Sequence, residues 1–139
     1  MEMFGRNIEL NNIEVTRHTS LVTDAKQYLE QMEEGIYDLI ILDPPAFAKH
    51  QRVSHNALQG YKWINFQAIK KIRKGGLLAT FSCSQVIHRD QFTSAVMAAA
   101  IEAGREVKIL HRLSQGPDHP VSIFHPEGEY LKGLVLQVI

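Results

Sequence analysis

The chain has 139 residues, 45% hydrophobic and 22% charged, which suits one globular domain with its own core and leaves little room for a second. Lys plus Arg and Asp plus Glu number 15 each, so no global field holds nucleic acid, and RNA would need a local patch or another domain. One cysteine excludes an intrachain disulfide and a Cys-rich zinc site, in keeping with a cytoplasmic location; no apolar run spans a bilayer and the start carries no signal-peptide pattern.

Gly5 to Asn12 reads as the tail of a helix, with no convincing beginning, running into a polar turn. Leu21 and Val22 suggest a short strand ending at Asp24, which can also cap a helix over Ala25 to Met32, with Tyr28, Leu29 and Met32 on one face. Leu39 to Leu42 is a continuous apolar run, long enough for a strand buried on both faces. Pro44 and Pro45 cannot donate to a ladder, so pairing ends there and Asp43 is held at the strand's carboxyl end, where open α/β sheets bind ligands. A polar loop, Lys49 to Asn56, follows.

A helix is expected from about Ala57 to Arg73, with Leu58, Tyr61, Asn65, Ala68, Ile69 and Ile72 at helical spacing and Gly75-Gly76 after its end. Lys70, Lys71, Arg73 and Lys74 read as a solvated helix end rather than an RNA patch. Leu77 to Phe81 is a buried strand that delivers Ser82-Cys83-Ser84. Another helix, Arg89 to Ala103, has Asp90 in its first turn and Gly104 after its last. Val107 to Leu110 and Leu134 to Val138 are further strands, separated by a long loop over Ser114 to Tyr130, a length that in a compact domain points to function or disorder. Strand-helix-strand-helix-strand order implies a parallel sheet with right-handed crossovers, bringing Asp43 and Cys83 together on its ligand side.

A cysteine at such a boundary is either a small core residue or, where a positive charge or helix terminus favours the thiolate, a nucleophile. Asp43 cannot activate the thiol by charge, so the pair makes better sense if Asp43 holds a substrate and Cys83 attacks it. Pyrimidine C5 chemistry divides the work this way: a thiolate adds to C6, a carboxyl group holds the N3/N4 edge, and the base must leave its stack. The seven histidines, His18, His50, His55, His88, His111, His119 and His125, lack metal-ligand spacing, and no metal is expected. His119, between Asp118 and Pro120, belongs to the loop expected near the sheet edge.

Asp43-Pro44-Pro45-Ala46-Phe47 followed by Phe81-Ser82-Cys83-Ser84 resembles motifs IV and VI of class I S-adenosylmethionine (SAM)-dependent methyltransferases. More narrowly, the chain resembles the large-subunit rRNA (cytosine-C5)-methyltransferase I family. Further matches are Gly60-Tyr61-Lys62 with Ile64-Asn65, Gly75-Gly76, Ala103-Gly104-Arg105, Asp118-His119-Pro120-Val121, Pro126-Glu127-Gly128 and Tyr130-Leu131-Lys132-Gly133. The similarity runs from about Asn7 to the C-terminus.

By that resemblance Cys83 is the nucleophile toward cytosine C6, and Asp43 helps hold the base near the methyl donor. Asp24 matches an acid that contacts the cofactor's adenine. Asp43, Pro44 and Pro45 border the cofactor, and Phe47, Ser82 and His119 border the substrate. Asn7 matches an Asn of the family and is given no role. The family's glycine-rich cofactor loop, its ribose-binding acid and its N-terminal RNA-binding modules are absent, so residues 1–139 read as the C-terminal portion of a SAM-dependent catalytic domain.

The implied fold is an α/β, Rossmann-like class I methyltransferase sheet, of order 3-2-1-4-5-7-6 and incomplete at its N-terminal strands, with helices on both faces and a C-terminal antiparallel strand pair. The Leu39 strand would then be an exposed apolar edge that either pairs with the Leu21 strand or makes a homodimer. The implied function is SAM-dependent methylation of rRNA. The alternatives are methylation of an exocyclic amino group, and a catalytically silent chain that serves as an interaction module.

Overall fold

Proline at positions 44 and 45 and Gly75-Gly76 before position 77 set the limits of two parallel strands on which the fold is built. The computed structural model describes residues 2–47 and 54–139; of the polar loop expected over Lys49 to Asn56, residues 49–53 lie outside the described residues. In chain order come helix α1 (Glu2–Leu10), a 3-10 turn (Val15–Arg17), helix α2 (Ala25–Gln31), strand β1 (Leu39–Leu42), helix α3 (Ser54–Lys71) and strand β2 (Leu77–Ser82). Helix α4 (Arg89–Ala103), strand β3 (Val107–Leu113), a second 3-10 turn (Pro126–Gly128) and strand β4 (Lys132–Val138) complete it. Among the described residues no helix is long and apolar enough to cross a membrane.

The sheet order is β1-β2-β4-β3. β1 and β2 are parallel, in register from Leu39 opposite Leu77 to Leu42 opposite Thr80, and β4 runs antiparallel to both β2 and β3. This is the 4-5-7-6 part of the expected order, ending in the expected antiparallel pair. Alternation sorts the side chains. Leu78, Thr80 and Ser82 of β2, with Leu134, Leu136 and Val138 of β4, are buried on one face. Helices α3 and α4 supply Tyr61, Ile69, Phe92 and Val96 to the same core, with Ile72 just past α3, and Tyr61 and Phe92 meet there edge-to-face at 5.4 Å. Gly104, in the left-handed region at φ 64°, closes α4.

Helices were expected on both faces. α2, α3 and α4 contribute to the one core, whereas α1 is exposed at every described position but Ile8. β1 is therefore not buried on both faces: it is an edge strand in which Leu39 is 53% and Ile41 63% exposed. β2, also expected to be a buried strand, is buried on alternate residues only. The expected strand at Leu21 and Val22 does not form. Both residues are exposed and no strand among the described residues offers them a ladder, so β-propensity alone cannot hold them extended. Pairing with β1 does not occur either, and among the described residues that edge has no partner strand.

Other differences are of length and role. α3 starts three residues earlier than expected, β3 extends to Leu113, and β4 begins at Lys132 instead of Leu134. Part of the basic cluster after α3 is structural: Lys71 donates to the Glu30 carbonyl at 2.5 Å, and Arg73 to Gly35 O at 3.1 Å and to Asp38 at 2.6 Å. Arg105 lies at the C-terminal carbonyls of α3 and donates to Ile139 O at 3.0 Å, a favourable place for a cation at a helix end.

Candidate functional site

Parallel pairing in this register carries the ends of β1 and β2 to the same edge of the sheet, with Asp43 just past Leu42 and Cys83 just past Ser82. A cavity of about 510 Å³ opens there, with Asp43, Pro44, Pro45 and Cys83 on one side. The loop after β3 supplies the opposite side through Gln115, Gly116, Asp118 and His119. Gln115 braces that loop, donating to Gly128 O at 2.9 Å and accepting from the Tyr130 N–H at 3.0 Å. His119 Nδ1 lies 3.2 Å from Asp118 Oδ2.

A second cavity, of about 500 Å³, lies across the same segment and shares Asp43, Pro44 and Pro45. Its other walls include Asp24, Lys26, Leu29, Ile41 and Phe47. Asp24 is the N-cap of α2, its Oδ1 accepting from the Lys26 N–H at 2.9 Å and the Gln27 N–H at 3.0 Å. Capping and cavity-lining thus fall on one carboxylate. The Asp43–Pro45 segment is a partition with an acid-bearing cavity on one side and the cysteine on the other.

Two of the residues expected to border substrate, Phe47 and Ser82, do not line the Cys83 cavity. Phe47 lines the Asp24 cavity rather than the Cys83 cavity: its ring packs on Tyr61 at 4.7 Å, and Lys26 Nζ sits 5.7 Å from its centroid. Gly60 allows this approach, since a Cβ there would come within 3.1 Å of the Phe47 ring. Ser82 is fully buried beneath the cavity, its Oγ 3.4 Å from the Ser84 N–H that donates to it.

Lys132 and Tyr61 were given no role from the sequence. Burial raises the Tyr61 pKa above the usual tyrosine value, and the Cys83 charge adds to this, while Ser82 and the Phe47 backbone act the other way. Lys132 is buried at the start of β4, opposite Ser82, and burial lowers its pKa from the ordinary lysine value. The signal for Lys132 was its phase: it is two residues before Leu134, on the side of the strand that feeds the core. Tyr61 carried only the signal of an apolar stripe.

No protein-family model matches the chain. It is 43% identical over 141 aligned positions, 100% of its length, to "Ribosomal RNA large subunit methyltransferase I" of Pseudoalteromonas atlantica, of which this covers 36%. A protein of the same name from Shewanella amazonensis is 42% identical over 134 positions, covering 95% of this chain and 34% of the relative. The chain thus spans about a third of the length of these curated relatives. Among solved structures, SMU.776, described as a methyltransferase and solved with S-adenosylhomocysteine (SAH), superposes with a TM-score of 0.74 at 22% identity, over 96% of this chain and 35% of that one. Trm5b from Pyrococcus abyssi gives 0.60 at 17% identity, over 97% of this chain and 33% of that one. The fold is therefore that of methyltransferase structures, and the sequence is similar along its whole length to part of the large-subunit rRNA methyltransferase I proteins.

Proposed function

We propose that this chain is the C-terminal portion of the catalytic domain of a SAM-dependent rRNA methyltransferase, acting in the cytoplasm on C5 of a cytosine through a covalent bond to Cys83. The observation that carries this reading is the partition: Asp43, Pro44 and Pro45 form a common wall between a cavity with Asp24 and a cavity with Cys83. A methyl donor and a target base need such adjacent, separated places. The similarity of the whole chain to about a third of the rRNA methyltransferase I proteins supports the substrate class.

The Asp24 cavity fits the adenosine end of the cofactor. It combines a carboxylate with Leu29, Pro44 and Phe47, an acceptor and an apolar slot suited to a planar ring that carries an amino group. When bound, SAM supplies an electrophilic methyl group.

The chain's own residues do the rest. The Cys83 thiolate adds to C6 of the flipped base, forming an S–C6 bond and moving the C5–C6 π pair onto C5 and the ring. Asp43 hydrogen-bonds the N3/N4 edge and holds the base in place while the adduct forms. C5 is then nucleophilic enough to accept the methyl group. Loss of the C5 proton to a base, for which His119 lines the same cavity, expels the thiolate and restores the double bond.

The test begins with SAH binding to the purified chain by calorimetry, then methylation of large-subunit rRNA with product nucleosides identified by mass spectrometry. 5-Methylcytosine formed by the wild type and abolished in Cys83→Ala is expected, together with a covalent complex on RNA containing 5-fluorocytosine. An N-methylated base, or a fully active Cys83→Ala protein, would overturn the assignment.

A second reading rests on the open β1 edge: the isolated chain associates with itself there as a homodimer. That role needs no catalysis.

A further inference from the structure

Lys132 is the only buried residue with a charged side chain among the described residues, 6% exposed. It sits opposite Ser82, so its side chain enters the sheet face one residue short of Cys83. Its ammonium donates to two backbone carbonyls, Ser84 O at 2.5 Å and Tyr130 O at 2.7 Å. One belongs to the residue directly after Cys83, and the other to a residue that lines the Cys83 cavity. No carboxylate is within ion-pair distance of it among the described residues; Arg89, which shares its crevice, is the cation that reaches Glu129, at 3.8 Å.

A buried ammonium satisfied only by neutral carbonyls keeps an uncompensated charge, which is costly unless an anion lies close. Burial accordingly lowers the Lys132 pKa; Cys83 is the group that acts to raise it, and Arg89 lowers it further. The other titratable groups around this crevice and the adjoining cavity are Tyr61 on α3, His88 before α4, Glu129 and Tyr130 before β4, and Asp43, Asp118 and His119 around the cavity.

We propose that Lys132 is the positioning residue for Cys83, fastening the Cys83–Ser84 turn to the Tyr130 segment and holding its positive charge toward the sulfur so that a thiolate faces the cavity. This rests on the reading of Cys83 as a nucleophile, and it supplies the positive charge that such a nucleophile requires.

Cys83 is the only cysteine, so alkylation by iodoacetamide, followed by mass spectrometry of the full chain, reports on it alone. Rates are measured from about pH 6 to pH 9 for the wild type, Lys132→Met and Lys132→Arg. Lys132→Met is expected to lose about tenfold in rate near neutrality, its profile displaced about one unit to higher pH, with Lys132→Arg restoring most of the loss. Coincident profiles for wild type and a folded Lys132→Met would overturn the proposal.

A second arm needs no substitution. Capping the sulfur of the wild type as a neutral methyl disulfide removes the anion, so the Lys132 amine, followed by carbon-13 NMR at Cε, is expected to titrate about one unit lower. An unchanged midpoint would overturn the proposal equally. Neither arm uses RNA. Failure here leaves the Cys83 adduct to be judged by 5-fluorocytosine trapping, and failure of trapping leaves the Lys132–Cys83 couple standing.

Discussion

Residues 54–139 and residues 2–47 meet along β1 and are held by different forces. In the first region Tyr61, Ile69, Phe92, Leu134, Leu136 and Val138 are buried almost completely in one apolar core. In the second, Leu29, Met32 and Leu42 reach that core, while Leu10, Leu21 and Val22 stand in solvent. Lys71 and Arg73 tie the second region down through the Glu30 and Gly35 carbonyls and Asp38, contacts that are exposed and therefore weak. The difference bears on function because the two cavities divide along the same line. The Cys83 cavity is built mostly from the packed region, and the Asp24 cavity mostly from the region held by polar ties. On the proposed function, base recognition falls to the stronger half of the fold and donor recognition to the weaker.

The largest effect that could break this comparison is on stability. Phe92→Ala removes a ring wedged edge-to-face against Tyr61 and is expected to cost about 3–5 kcal/mol in urea unfolding. Leu21→Ala, at an exposed position outside any strand, is expected to stay within about 0.5 kcal/mol of the wild type. A similar loss at both positions would mean that the two regions form a single cooperative core.

Next in size is association. β1 exposes an unpaired strand edge and the side chains of Leu39 and Ile41, and nothing in residues 2–47 covers them. Sedimentation velocity is expected to show a dimer that grows with concentration, and Ile41→Lys is expected to return the chain to a monomer, since an edge lysine is a standard guard against pairing. A wild type that stays monomeric at high micromolar concentration would remove β1 as an interface.

The sequence was most readable where local chemistry and tertiary packing agree. Asp43 before two prolines and Cys83 at the end of an apolar run fall at adjacent strand ends because β1 and β2, joined through α3, are neighbouring parallel strands in register. Leu21-Val22 was misread because strand propensity is a statement about neighbours, and no strand among the described residues lies beside them. That Phe47 turns to the Asp24 cavity is set by Gly60 and Tyr61 on α3, thirteen or more residues away, which no local pattern encodes. Lys132 was legible in principle, in phase with Leu134 and Leu136, yet a charged residue at a strand's first position reads as an end rather than as a buried group.

The smallest effect separates the two roles of Asp24. Its Oδ1 satisfies two backbone N–H groups at the start of α2, and its carboxylate also lines the cavity assigned to the adenosine end of the donor. Asp24→Ala removes cap and charge together and is expected to cost about 1 kcal/mol, whereas asparagine caps nearly as well as aspartate and should restore that stability. SAH affinity, measured by calorimetry on the same proteins, then divides the roles. If the carboxylate meets the ligand, Asp24→Asn folds like the wild type yet binds more weakly, because a neutral amide is a poorer acceptor than a charged oxygen. If Asp24→Asn binds SAH as the wild type does and Asp24→Ala binds worse only in proportion to its lost stability, Asp24 acts on the ligand solely by fixing α2. The donor cavity would then owe its recognition to the helix that Asp24 caps and to the proline wall it shares with the Cys83 cavity.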